Sequence, residues 1–257
     1  SRQRAAHSLH EISYRACFKP QLPRFFIDRL TEPGAAVYDP FAGRGTTPLE
    51  AALAGRVPMA CDINPLSAML IEPRLAPPDV DEVGERLEAI DLGRLVRAPH
   101  DLEVFFHPET LGEIAALRAY LLDRDRLGTM DGVDRWIRMV TVNRLTGHSP
   151  GFLSVYTLPP NQATTVPNQR KINAARGQVP PRRHLRAIVM KKTRALMADL
   201  TPADARRLSQ AASRAVLATR AAHDTPALPD ASVDLVVTSP PFLTVVNYKM
   251  DNWLRCW

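Results

Sequence analysis

The chain has 257 residues, 45% of them hydrophobic and 23% charged, with a formal net charge of +6. This composition excludes disordered, collagen-like and coiled-coil chains, and no apolar run approaches the ~18 to 20 residues of a membrane span. With no leader pattern at the start a cytoplasmic protein is expected, and the scattered Cys17, Cys61 and Cys256 offer neither a disulfide framework nor a C-x-x-C zinc site.

In chain order, Phe18-Lys19-Pro20-Gln21-Leu22-Pro23 leads into helical spacing over residues 21–30. A strand is predicted at 35–38, followed by the glycine turn Asp39-Pro40-Phe41-Ala42-Gly43-Arg44-Gly45-Thr46-Thr47 and a helix over 46–54. The second strand, 57–61, runs into Asp62-Ile63-Asn64-Pro65. From about residue 75 to 213 the pattern is mainly helical, with helices predicted at 80–90, 108–122, 133–144, 182–198 and 202–212. Its centre, 146–181, is rich in Gly, Pro and Asn and reads as loop. Strands return at 215–219 and 233–238, the latter running into Ser239-Pro240-Pro241-Phe242. Strands alternating with helices predict an α/β fold built on a doubly wound parallel sheet. The organisation expected is a first part at 1–74, an inserted helical and loop region at 75–213, and a second part at 214–257.

The net charge is unevenly spread. Residues 135–198 hold twelve Lys or Arg and no Asp or Glu, whereas the other 193 residues hold 21 basic and 27 acidic side chains, a net of −6. A basic insert on an acidic body is the electrostatic footprint of a surface that follows a nucleic-acid backbone. His148, Arg170, Lys171, Arg182, Arg183, Lys191 and Lys192 are its candidate phosphate contacts. Asn161, Gln162, Asn168, Gln169 and Asn173 are candidates for reading base edges.

A strand, a tight glycine turn and a helix start bring backbone N–H groups against a ligand at the carboxyl end of a sheet. Gly43 and Gly45 are read as leaving room for that ligand, because a side chain there would fill its space. Asp62, about twenty residues on, stands where a carboxylate accepts hydrogen bonds from ribose hydroxyls. The string is neither G-x-G-x-x-G nor a phosphate loop. It resembles the first motif, D-P-F-x-G-x-G-T-T, of the S-adenosylmethionine-dependent amino-methyltransferases of DNA. The resemblance implies a Rossmann-like methyltransferase sheet and S-adenosylmethionine as cofactor, held by Asp39, Phe41, Gly43, Gly45 and Thr46, by Asp62 on the ribose and by Ile63 on the adenine. Lys19 is similar to the motif that faces the cofactor carboxylate in that family, and Asp224 to the acid that meets the adenine amino group.

The second motif is Ser239-Pro240-Pro241-Phe242 after a buried-strand pattern. Two prolines remove two N–H donors and leave carbonyls free to accept. Ser239 Oγ and the Pro240 carbonyl suit the two hydrogens of a base amino group, and Phe242 suits stacking on a flipped ring. The family writes this motif [D/N/S]-P-P-[Y/F/W], and serine in first place resembles the cytosine-N4 enzymes, so double-stranded DNA is the implied partner. Carbon-5 methylation is set aside because no cysteine follows a proline. The competing expectations are an adenine-N6 DNA enzyme, an RNA enzyme acting on guanine N2, and a non-catalytic DNA-binding subunit. The family sheet has further strands after this motif, so the C-terminal strands are expected to be missing and the sequence to be a fragment or one half of a split enzyme.

Overall fold

Four short strands form one parallel sheet, β1 (Ala36–Asp39), β2 (Val57–Asp62), β3 (Val216–Thr219) and β4 (Leu235–Val236), in the order β3-β2-β1-β4. They are seen in a computed structural model that describes residues 6–14, 17–158, 164–241 and 253–255. Each strand lies where the apolar runs predict it. β3 is one residue shorter than expected, and β4 is shortened most, its ladder pairing Leu235 with Val37 and Val236 with Tyr38. Alternation of side chains along the strands sorts the core into two faces. Val37 packs with Ile27, Ala51 and Leu235 on one face, while Ala36, Tyr38, Val57, Met59 and Cys61 cluster on the other under Leu228 and Val233.

The chain divides into two compact units. The first comprises 1–77 and 196–246 and contains the sheet; the second comprises 78–195 and 247–257. In the first unit α1 (Gln21–Leu30) and α2 (Thr46–Leu53) form as predicted. So does α9 (Pro202–Ala212), which packs on α2 and α3 (Leu66–Leu75) and groups with the sheet rather than with the helical region. Sequence reading assigns no element to α3. Most of its residues are buried and Pro73 lies inside it, so it shows no amphipathic period and contains an apparent breaker.

The second unit holds α4 (Val80–Ala89), α5 (Pro108–Arg126), α6 (Gly132–Arg144), α7 (Val166–Arg176) and α8 (Leu185–Leu196). α7 corrects the expectation of loop over 146–181. Thr165 caps its start, accepting from Asn168 N–H, and Gly177 ends it in the left-handed conformation at φ 55°. Its inward side is amide rather than hydrocarbon, with Gln169 fully buried, so no apolar period announces it.

One acid organises α4, α5 and α6. The side chain of Asp134 is fully buried and receives Arg86 at 2.6 Å, Arg124 at 2.8 Å and the Tyr120 hydroxyl at 3.1 Å. It also forms a capping box with Asp131 at the start of α6, and Arg86 beside Asp131 holds that carboxyl down to about 2. Removing one partner of such a cluster leaves desolvated charge behind. Asp134→Ala is expected to destabilise the protein by roughly 3 kcal/mol, read as a drop of several degrees in Tm; an unchanged Tm would show that the cluster does not support this unit.

Candidate active site

In the sheet order, β1 lies between β2 and β4, so the chain leaves β1 through α2 toward β2 on one side and returns as β4 on the other. The carboxyl edge between β1 and β4 is therefore the point where strand order reverses, the usual ligand position in open parallel sheets. Both sequence motifs leave the sheet there. The Asp39–Thr47 turn follows β1, and Ser239-Pro240-Pro241 follows β4.

A hydrogen bond joins the two motifs. Asp39 is 1% exposed, and its Oδ1 accepts from Thr238 Oγ1 at 2.6 Å and from Phe41 N–H at 3.1 Å. Thr47 Oγ1 donates to the Val237 carbonyl at 3.0 Å, adding a second tie between α2 and the strand end. Ser239 and Pro241 are half-buried and Pro240 is exposed. Phe242 lies outside the described residues.

The β2 end is tied to the same turn. Asp62 Oδ2 accepts Gly43 N–H at 2.8 Å and Oδ1 accepts Asn64 N–H at 2.9 Å, while Ala42 N–H reaches the Cys61 carbonyl at 3.0 Å. One lone pair on each Asp62 oxygen is thus engaged, leaving acceptor capacity on both. Beside it Phe41 is 39% and Ile63 76% exposed. Large apolar side chains left open next to an acceptor carboxylate suit a ligand with a flat base and a hydroxylated sugar.

The glycines also meet constraints from within the fold. Gly45 has φ 79°, and a Cβ there would run into the Ile71 side chain. A Cβ on Gly43, φ 51°, would lie 3.2 Å from the Tyr14 ring. Both positions are held to glycine by positive φ and by packing of α3 and the N-terminal segment. Thr46 is buried, receiving Arg44 Nε at 3.2 Å.

Sequence reading does not identify the residues that brace this turn from behind. Arg74 on α3 is fully buried and donates to the carbonyls of Leu70, Leu9 and Arg44. Burial pushes it down to about 9, with repulsion from Arg44 adding to the effect. Arg44 in turn reaches the carbonyls of His10 at 3.1 Å and Ile12 at 3.2 Å, and His10 meets the buried Glu50 at 2.6 Å. An arginine inside an apolar stretch is the one signal Arg74 leaves in the sequence. Of the remaining candidates, Lys19 is exposed just before α1, and Asp224 pairs with Arg220 at 2.7 Å near the surface.

The helical unit separates its candidates. Arg170, Lys171 and Lys191 are exposed and Lys192 is half-buried. Arg182 is occupied by Glu109 at 2.8 Å and Glu113 at 2.7 Å, so acids outside the acid-free stretch compensate part of its charge. Arg183 donates its N–H to Thr110. Gln169 and Asn173 hydrogen-bond to each other inside the unit, which removes them from base reading, whereas Asn168 is exposed. Asn161 and Gln162 lie outside the described residues. Among the described residues no three His, Cys, Asp or Glu side chains cluster as a metal site, and no helix is long and apolar enough to cross a membrane.

Burial dominates the titration of Asp39. It pushes the carboxyl up to about 6 against the hydrogen bonds of Thr238, Phe41 N–H and Thr47. With the folded value above the unfolded one, the native state holds the extra proton between about pH 4 and 6, so stability falls as pH rises through that window. Asp39→Asn keeps the acceptor oxygen and removes the titration. Urea unfolding is expected to show wild type losing on the order of 3 kcal/mol more than this variant between pH 4 and 6.5, and parallel pH profiles would refute the buried ionisation.

Residues 2–72 match the family model described as DNA methylase. Over 82 residues the chain is 30% identical to the type II methyltransferase M.MjaII of Methanocaldococcus jannaschii, a segment covering 32% of this chain and 15% of that protein. No solved structure matches the chain.

Proposed function

We propose that the chain, whose residues 2–72 match the DNA methylase family model, transfers a methyl group from S-adenosylmethionine to an exocyclic amino group of DNA, with cytosine N4 as the target. The observation that carries this reading is the Thr238–Asp39 bond at 2.6 Å. It joins the glycine turn to the residue immediately before the S-P-P motif at adjacent strand ends, where a cofactor and a base amino group have to meet.

The residues of the site fit the cofactor. Asp62 would accept the sugar hydroxyls with its free lone pairs, while Ile63 and Phe41 would cover apolar faces that are otherwise open to water. Asp39, Gly43, Gly45 and Thr46 act by fixing the turn, and Lys19 and Asp224 are assigned to the carboxylate and adenine ends. S-adenosylmethionine supplies an electrophilic methyl group when bound.

The chain's own task is to present the nucleophile. The lone pair of cytosine N4 is delocalised into the ring. Ser239 Oγ and the Pro240 carbonyl, accepting from its two N–H groups, would favour a pyramidal nitrogen whose lone pair is available. Pro240 and Pro241 restrict the backbone so that these acceptors stay in place, and Phe242 is assigned to stacking on the extruded ring. Positioning then supplies most of the rate, without a covalent enzyme intermediate. Arg170 and Lys191 on exposed surface, with Lys192, Arg183 and the partly neutralised Arg182, are assigned to DNA phosphates, and the exposed Lys171 to DNA contact.

With tritiated S-adenosylmethionine and duplex DNA, nucleoside mass spectrometry is expected to find N4-methylcytosine. Ser239→Ala is expected to lower kcat roughly 10- to 100-fold, the worth of one hydrogen bond at the reacting group, with cofactor binding retained. N6-methyladenine as sole product would overturn the cytosine target, and label entering tRNA alone would overturn the DNA substrate.

A further inference from the structure

We infer that the outward face of α7 reads base edges in the major groove of duplex DNA, with Asn168 and Lys171 as specificity residues and Arg170 as a phosphate contact. The inference rests on the DNA-methylating reading above and adds to it the element that selects the sequence.

The inner side of α7 is held by amide hydrogen bonds, with Gln169 Oε1 left without a partner among the described residues. Gln169 Nε2 donates to the Tyr156 carbonyl at 2.9 Å and to Asn173 Oδ1 at 2.6 Å. Asn173 Nδ2 donates to the Val104 carbonyl at 2.8 Å, and Gln178 Nε2 reaches both the Tyr156 carbonyl and Asn173 Oδ1. Arg176 lies over the Tyr156 ring at 3.9 Å. Buried amides are costly unless paired, and once paired they allow few alternative arrangements. They fix the rotation of the helix about its axis more sharply than hydrocarbon contacts would.

That fixed rotation decides what faces outward. At about 100° per residue, Asn168, Lys171 and Ala175 form one stripe at i, i+3 and i+7, and all three are exposed. Arg170 is exposed about 100° away on the flank. The helix contains no acidic residue. Asn168 can pair with adenine N6 and N7 and Lys171 with guanine O6 and N7, while the small Ala175 lets the backbone approach and can touch a thymine methyl. A helix lying in the groove with its N-terminal residues on base edges and a flanking cation on the backbone matches the general geometry of helical readers. The same hydrogen bonding that removes Gln169 and Asn173 from base reading therefore directs Asn168 and Lys171 into it.

The test uses the purified chain without cofactor, selecting bound molecules from a randomised duplex library and measuring the salt dependence of binding. Wild type is expected to enrich a preferred sequence. Asn168→Ala and Lys171→Ala should each weaken preference at a base pair by roughly tenfold or more, with helix content by circular dichroism unchanged. Arg170→Ala should leave the preferred sequence intact and reduce the slope of log K against log salt by about 0.9. An unchanged preference in both stripe variants would overturn the inference, as would wild-type binding with no preference; neither touches methyl transfer to DNA. Failure of wild type to bind duplex at all would instead overturn the DNA reading itself.

Discussion

The buried carboxylate of Asp39 is the constraint from which the candidate site is built. It sits at the carboxyl end of β1 and accepts from Thr238 on the β4 side and from Phe41 N–H in the glycine turn. A desolvated acid is tolerated only with such partners, so the turn and the strand end are obliged to converge on it. Asp62 repeats the arrangement one strand away, holding Gly43 N–H with one oxygen and Asn64 N–H with the other. The carboxyl ends of β1 and β2 thus carry two carboxylates. Asp39 is enclosed and fixes the backbone, whereas Asp62 keeps acceptor capacity on both oxygens.

Behind this edge, among the described residues, the structure is held by cations that meet backbone carbonyls. Arg74 and Arg44 donate mainly to backbone carbonyls, and through them the N-terminal segment, the glycine turn and α3 become one support. A carbonyl oxygen offsets the desolvation of a guanidinium less completely than a carboxylate does, and the depressed Arg74 titration reports that cost. The helical unit uses the opposite device, gathering Arg86, Arg124 and Tyr120 on the enclosed Asp134. In α7 it uses paired amides, which orient a helix without an apolar face.

Four strand positions, the parallel sheet and most helices were legible because hydrophobic period and turn chemistry are local. Helices α3 and α7 were not, for opposite reasons. The first is buried on nearly every side and contains Pro73, while the second buries Gln169 and ties the half-buried Asn173 by hydrogen bonds in place of hydrocarbon; neither produces the period that marks an amphipathic helix. At the site, the motif residues were readable from their order and spacing. The packing around them was not, since a Cβ on Gly45 would meet the Ile71 side chain.

By itself the sequence determined the chemistry at each strand end, a glycine turn with an acid twenty residues on and a proline-locked serine, together with the uneven distribution of basic charge. Only the tertiary structure decided which of those groups meet. Parallel pairing on both sides of β1 brings residues 39 and 238 within a hydrogen bond although nearly 200 positions separate them. It likewise decided which basic side chains remain open, because Glu109 and Glu113 reach Arg182 from another helix. Pairing partners and burial are long-range properties, and a linear pattern has no term for them.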